Sequence, residues 1–76
     1  MWQEEDDKLI RTFEFKDFTE AFGFMTKVAL AAEKMGHHPF WSNVWNTVKI
    51  ELTTHEADNT VTEKDHELSR IIDSLV

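Results

Sequence analysis

The 76-residue chain has no cysteine and no tyrosine, one proline and two glycines. The missing cysteine excludes disulfides, thiolate zinc sites and a cysteine nucleophile. With glycine only at Gly23 and Gly36, there is no Gly-rich loop to cradle a phosphate. Positive charge is scarce as well: 8 Lys and Arg stand against 15 Asp and Glu, a formal net charge of -7. No basic stripe is available to neutralise phosphates, so direct DNA or RNA contact is not expected. The most apolar stretch, Ala21 to Ala32, contains Lys27 and is too short to span a bilayer. Met1 to Asp7 lacks the basic start and apolar run of a signal peptide, so a soluble cytoplasmic protein is the expectation.

What is present is a dense apolar set with six Phe and three Trp. The length predicts one domain over residues 1–76, with no room for a second core. Small domains without disulfides often lean on subunit contacts, and a homo-oligomer is expected here. Gln3 to Lys8 is a polar run that reads as a turn or strand-edge loop. Leu9, Phe13 and Phe15 share one parity of a strand. Asp17 and Glu20 have capping-box spacing, and Phe18, Ala21, Phe22, Met25, Val28, Ala29 and Ala32 follow as an apolar helical stripe. Gly36 sits where a left-handed helix stop is wanted, and Pro39 prevents the helix resuming.

From Asn43 to Thr54 the residues are β-branched and aromatic. One continuous register puts Val44, Val48, Ile50 and Leu52 on one face and Lys49, Glu51, Thr53 and His55 on the other; a tight turn near Asn46 would split it into a hairpin. Ala57 to Val61 reads as a turn. Thr62 is a candidate N-cap, with Asp65 three residues on, and Leu68, Ile71, Ile72 and Leu75 form the stripe of a second helix. Helices on one face of a largely antiparallel sheet, an α+β fold, is the architecture this order predicts.

Three of the four histidines fall in two loop-like segments, His37-His38-Pro39 and Thr53-Thr54-His55. Imidazole titrates nearer neutral pH than other unperturbed side chains, so this concentration points to proton transfer or metal ligation. Each part has a plainer reading. The double histidine suits a helix C-terminus, His55 suits an exposed strand end, and His66 a solvated first turn. Asp65 reads as a capping carboxylate, and Glu33 as a solvated helix residue able to orient a histidine. Trp41 and Trp45 read as packing residues before they read as a wall for a flat ligand. Three imidazoles can hold zinc, but adjacent histidines rarely point at one centre and no HExxH spacing exists. The residues alone lead to a small α+β protein with a histidine-lined site of unknown substrate.

The string Glu33-Lys34-Met35-Gly36-His37-His38-Pro39-Phe40-Trp41-Ser42-Asn43-Val44-Trp45, continued by Val48 to His55, closely resembles the pterin-4a-carbinolamine dehydratases. Phe13 to Phe18, Ala21 to Ala29 and Thr60 to Asp65 resemble them too. The resemblance implies an antiparallel sheet with helices on one face, forming dimers or tetramers. It implies dehydration of a 4a-hydroxytetrahydropterin, as in a 4a-hydroxytetrahydrobiopterin dehydratase, to the quinonoid dihydropterin without cofactor or metal. The implied site is His37, His38 and His55, with Gly36, Thr53, Thr54 and Glu56 beside them. His37 and His55 are expected to be the acid–base pair and His38 to position the pterin. Possible protein partners are a pterin-dependent hydroxylase or a transcription factor. Some relatives are dimerisation cofactors of a homeodomain protein, so a non-catalytic binding module is the second reading. Members commonly carry a helical segment before the first strand. They also have glycine near position 58, where this chain has Asp58-Asn59.

Overall fold

Apolar residues at alternate positions oblige a strand to bury one face. In the computed structural model, which describes residues 1–76, that face belongs to a four-stranded antiparallel sheet. The strands are β1 (Gln3–Glu5), β2 (Lys8–Glu14), β3 (Phe40–Val44) and β4 (Thr47–Leu52), in spatial order β1-β2-β4-β3. Leu9 pairs with Leu52 and Phe13 with Val48, which aligns the apolar parities of the two central strands. Two helices, α1 (Phe18–Met35) and α2 (Glu63–Ser74), cover that face. Ala21, Phe24, Val28 and Ala32 from α1, with Leu68 and Ile72 from α2, join Leu9, Phe13, Val48, Ile50 and Leu52 in one core. Each large side chain buried in this way stabilises the fold by about 1.5–3 kcal/mol. The fold is therefore α+β, with both helices on one side of the sheet.

The polar run at the start resolves into a three-residue edge strand and a two-residue turn. Asp6 and Asp7 join Glu5 to Lys8 with φ of 51 and 62, the left-handed pair that a type I′ hairpin needs. The second hairpin uses Trp45-Asn46, so residues 43–54 are two strands and not one. Trp45 has φ 50, a costly conformation for a bulky residue. Asn43 Nδ2 offsets it by donating to the carbonyls of Trp45 and Thr47, at 3.2 and 2.9 Å. Asn46 clamps the turn to the end of β2: its Nδ2 donates to Phe15 O at 2.8 Å and its carbonyl accepts from Phe15 N–H at 2.9 Å. The reversal corrects the placing of Val44 with Val48, Ile50 and Leu52. Val44 faces outward and is 77% exposed, while Trp41 and Asn43 take the inner parity.

The stripe predicted for α1 is also only partly right. Ala21, Val28 and Ala32 are buried, but Phe18, Phe22 and Ala29 are exposed, and Phe24 fills the core instead. Apolar residues cover two neighbouring ridges of α1, and periodicity cannot choose between them. The sheet chooses: the rings of Phe13 and Phe15 each pack 4.9 Å from Phe24.

Candidate active site

His37 is placed by the way α1 stops. Gly36 takes the left-handed conformation (φ 66), its N–H bonds Glu33 O, and the N–H of His37 reaches back to Ala32 O, each at 3.1 Å. This 6→1 and 5→2 pair is a Schellman stop, which immobilises the His37 backbone. The α2 start places its partner. Thr62 caps the helix, and Asp65 returns a carboxylate oxygen to the Thr62 N–H at 2.9 Å, completing the predicted capping box.

Asp65 does more than cap. Its side chain is 0% exposed, and Oδ2 also accepts from Thr54 Oγ1 at 2.7 Å. Oδ1 lies 2.6 Å from His37 Nε2. Burial pushes the Asp65 carboxyl upward, but the hydrogen bonds from Thr62, His37 and Thr54 outweigh it and hold the group below its ordinary value of 3.8. Asp65 is thus an anion at neutral pH, and Nε2 of His37 carries the hydrogen between them. His37 is only 6% exposed. Its Nδ1 has no partner within the protein, and no fully buried side-chain nitrogen or oxygen is left unpaired. Nδ1 is therefore the nitrogen turned to the cleft.

His55 opens a short 3₁₀ turn (His55–Ala57) directly after β4. The carbonyl of Thr54 accepts from both Ala57 and Asn59, and Thr54 and Thr60 bridge, so residues 54–60 close on themselves. Asp58 and Asn59 both have φ 58, a left-handed conformation that Asp and Asn tolerate better than most residues. The fold-back brings Asn59 Oδ1 to 2.6 Å from His55 Nδ1. An amide oxygen accepts, so Nδ1 holds the hydrogen and Nε2 keeps the lone pair.

A cleft of about 360 Å³ unites these groups, within the usual range for small-molecule sites. Gly36, His37, His38, Thr53, His55 and Glu56 line it, with Pro39 and Phe40. Thr54 does not: it points inward, and its hydroxyl is spent on Asp65 and Thr62. His38 is exposed and bonds Glu33 at 2.8 Å, so Glu33 orients the second histidine and not the first. Glu56 is held below the usual carboxylate range by its own backbone N–H, then by Lys64, with smaller help from His37 and His55. Neither Trp41 nor Trp45 lines the cleft; Phe40 does. No three His, Asp or Glu side chains converge in metal-binding geometry, so the zinc reading has no arrangement to rest on.

The profile described as "Pterin 4 alpha carbinolamine dehydratase" matches residues 1–75. The chain belongs to the pterin-4a-carbinolamine dehydratase family. A relative named as such a dehydratase in Synechococcus sp. (strain WH7803) is 57% identical over 74 residues, covering 97% of this chain and 78% of its own. Another in Paraburkholderia xenovorans (strain LB400) is 56% identical over 69 residues, covering 91% and 71%. The crystal structure of a transcriptional coactivator/pterin dehydratase from Brucella melitensis superposes with a TM-score of 0.92 at 46% identity, over 97% of this chain and 80% of that one. A pterin dehydratase-like RuBisCO assembly factor of the alpha-carboxysome shares the fold, at TM-score 0.80 and 21% identity, over 99% and 86%. In this family member, sequence reasoning missed the Asp65 contact to His37, the Asn59 contact to His55, and the outer walls Lys8, Glu51 and Phe40. Asp65 carried one signal that was readable: it lies on the same helical ridge as Leu68 and Ile72, where an acid must be paired.

Proposed function

We propose that the protein dehydrates a 4a-hydroxytetrahydropterin to the quinonoid dihydropterin by histidine acid–base catalysis. One observation carries this reading: His37 and His55 line the same cleft, each with its far nitrogen fixed, one by an anion and the other by a neutral amide. The reaction breaks the C4a–O bond and the N5–H bond, forms C4a=N5 and releases water. It needs one proton delivered to the leaving hydroxyl and one removed from N5.

The two backings suit the two tasks. The Asp65 carboxylate is a countercharge for a His37 imidazolium, which then donates from Nδ1 to the departing oxygen. The Asn59 amide fixes His55 with a lone pair on Nε2, suited to take the N5 proton. His38 and Thr53 bound the ring. The Glu56 carboxylate suits the paired N–H donors of the pterin's 2-amino edge. Stopped-flow dehydration tests the reading. His37→Ala and His55→Ala are each expected to lose 100-fold or more in turnover, about 2.7 kcal/mol of barrier, while keeping native circular dichroism. Near-normal turnover in both overturns it.

A protein-binding role is the second reading. It draws on the exposed Phe18–Phe22 pair of α1, whose rings lie 5.6 Å apart, and on the coactivator description of the Brucella protein. It requires partner binding to survive loss of all three histidines and to fail on Phe22→Ser. The same exposed pair supports the expected homo-oligomer.

A further inference from the structure

A chain of hydroxyls runs from the start of α2 towards His37, outside the cleft. Thr54, between β4 and the 3₁₀ turn, is 3% exposed and is no part of the cleft wall. Its Oγ1 lies 2.7 Å from Asp65 Oδ2 and 2.7 Å from Thr62 Oγ1. The carboxylate can only accept, so the one Thr54 hydroxyl hydrogen goes to Oδ2. Thr62 must then donate to Thr54, and Thr62 Oγ1 in turn accepts the N–H of Lys64 at 3.3 Å. Oδ2 takes the Thr62 N–H as well, at 2.9 Å, and Oδ1 is left to His37 Nε2 alone.

Two donors on Oδ2 do what one cannot. With the capping bond alone, the carboxylate turns about its Cβ–Cγ bond and keeps the Thr62 N–H through much of the swing. The Thr54 hydroxyl arrives from a different element and stops that rotation, which fixes where Oδ1 meets the His37 ring. Thr54 is itself held: its N–H bonds Thr60 O at 2.9 Å, and its carbonyl accepts from Ala57 and Asn59. Those last two bonds shape the turn that carries His55. One residue thus ties the two histidines together, by its carbonyl at His55 and by its hydroxyl, through Asp65, at His37. An acid and a base that must face one substrate at a fixed separation need such a tie, since a misplacement of about 1 Å can cost roughly 100-fold in rate.

We propose that Thr54 is a positioning residue of the dehydration, acting through Asp65 on His37 and not by touching the substrate. This rests on the dehydratase reading and adds a residue that the bond-breaking steps leave out. The test is stopped-flow dehydration of one 4a-hydroxytetrahydropterin by wild type, Thr54→Val and Thr54→Ser, with turnover scored per folded protein by circular dichroism. Valine keeps the shape and removes the donor, so kcat should fall about tenfold while KM stays within about twofold. Serine keeps the hydroxyl and should hold kcat within about threefold of wild type. The nitrogen-15 resonances of the His37 ring should shift in Thr54→Val, with those of His66 unmoved. Where Thr54→Val does not fold, Thr54→Cys carries the same expectation, because a thiol fills the space and donates weakly. A raised KM at unchanged kcat makes Thr54 a substrate contact. Unchanged kcat and KM, or an equal loss in Thr54→Ser, make its role structural. Each of these, and unmoved His37 resonances, overturns this inference and leaves the dehydratase reading standing. No acceleration by wild type removes both.

Discussion

Replacing Asp65 with asparagine keeps the shape of the side chain and removes its charge at the most buried polar position of the site. The carboxylate receives three donors: His37 Nε2 at 2.6 Å, Thr54 Oγ1 at 2.7 Å and Thr62 N–H at 2.9 Å. An amide has one oxygen. Left toward Thr54 and Thr62 it keeps two of the bonds and turns its NH₂ group on His37. Nε2 must then accept, which moves the ring hydrogen to Nδ1 and strips the imidazolium of its countercharge. Losing one charge-assisted bond between buried partners costs about 1.5–3 kcal/mol. For a domain of this size that is a fall in Tm of roughly 6–24 °C. Turnover should fall at least 100-fold, the lower end for loss of general acid–base catalysis.

The pH dependence has a definite sign. The Asp65 carboxyl titrates lower in the folded state than its ordinary 3.8, since the bonds from Thr62, His37 and Thr54 outweigh the upward push of burial. Its contribution is then complete above 3.8 and is lost as pH falls through the folded value. Asparagine cannot titrate. The stability gap between wild type and Asp65→Asn should therefore be widest at neutral pH and narrow as pH drops below 3.8. Urea denaturation at pH 7 and pH 3, followed by tryptophan fluorescence, measures that gap. Nitrogen-15 spectra of the His37 ring report the tautomer. A variant as stable as wild type at pH 7, with kcat within about threefold, would refute the assignment of Asp65 as the group that positions His37.

Two further substitutions test the backbone that holds the site. Gly36 has φ 66, and a Cβ built on it meets nothing within 4 Å, so Gly36→Ala costs only the left-handed penalty. That is about 1–2 kcal/mol by thermal melt, with turnover reduced because His37 and His38 follow directly. An unchanged Tm would contradict the Schellman stop. Trp45, with φ 50 and an exposed ring, is the converse case. Trp45→Gly should stabilise the β3–β4 hairpin by up to about 1 kcal/mol and leave turnover unaltered; a clear loss of Tm would mean that the indole packs more tightly than its exposure implies.

What could be read from the sequence follows the range of the interactions. Caps are local, so both helix starts and the stop at Gly36 were legible from neighbouring residues, as was the parity that buries Leu9, Phe13, Val48, Ile50 and Leu52. The Trp45-Asn46 turn was legible only as an alternative to one continuous strand, because no left-handed residue marks its first position. It is held by Asn43 and by Phe15, which is 31 residues from Asn46 in sequence. In the site, the concentration of His37, His38 and His55 was visible, and the structure gathers all three on one cleft with Gly36, Thr53 and Glu56.

Asp65 shows why the rest stayed hidden. A capping box explains one carboxylate oxygen completely, so the spacing of Thr62 and Asp65 left nothing unaccounted for locally. But Asp65, Leu68 and Ile72 recur at steps of three and four, which puts the acid on the ridge that faces the core. Only one of its oxygens can serve the cap, and the other, buried, must find a donor. The donors that the fold brings within reach are side chains at element ends, and His37 is fixed at such an end 28 residues away. An acid on the buried stripe of a helix predicts a distant partner of this kind, whereas its spacing from the cap does not.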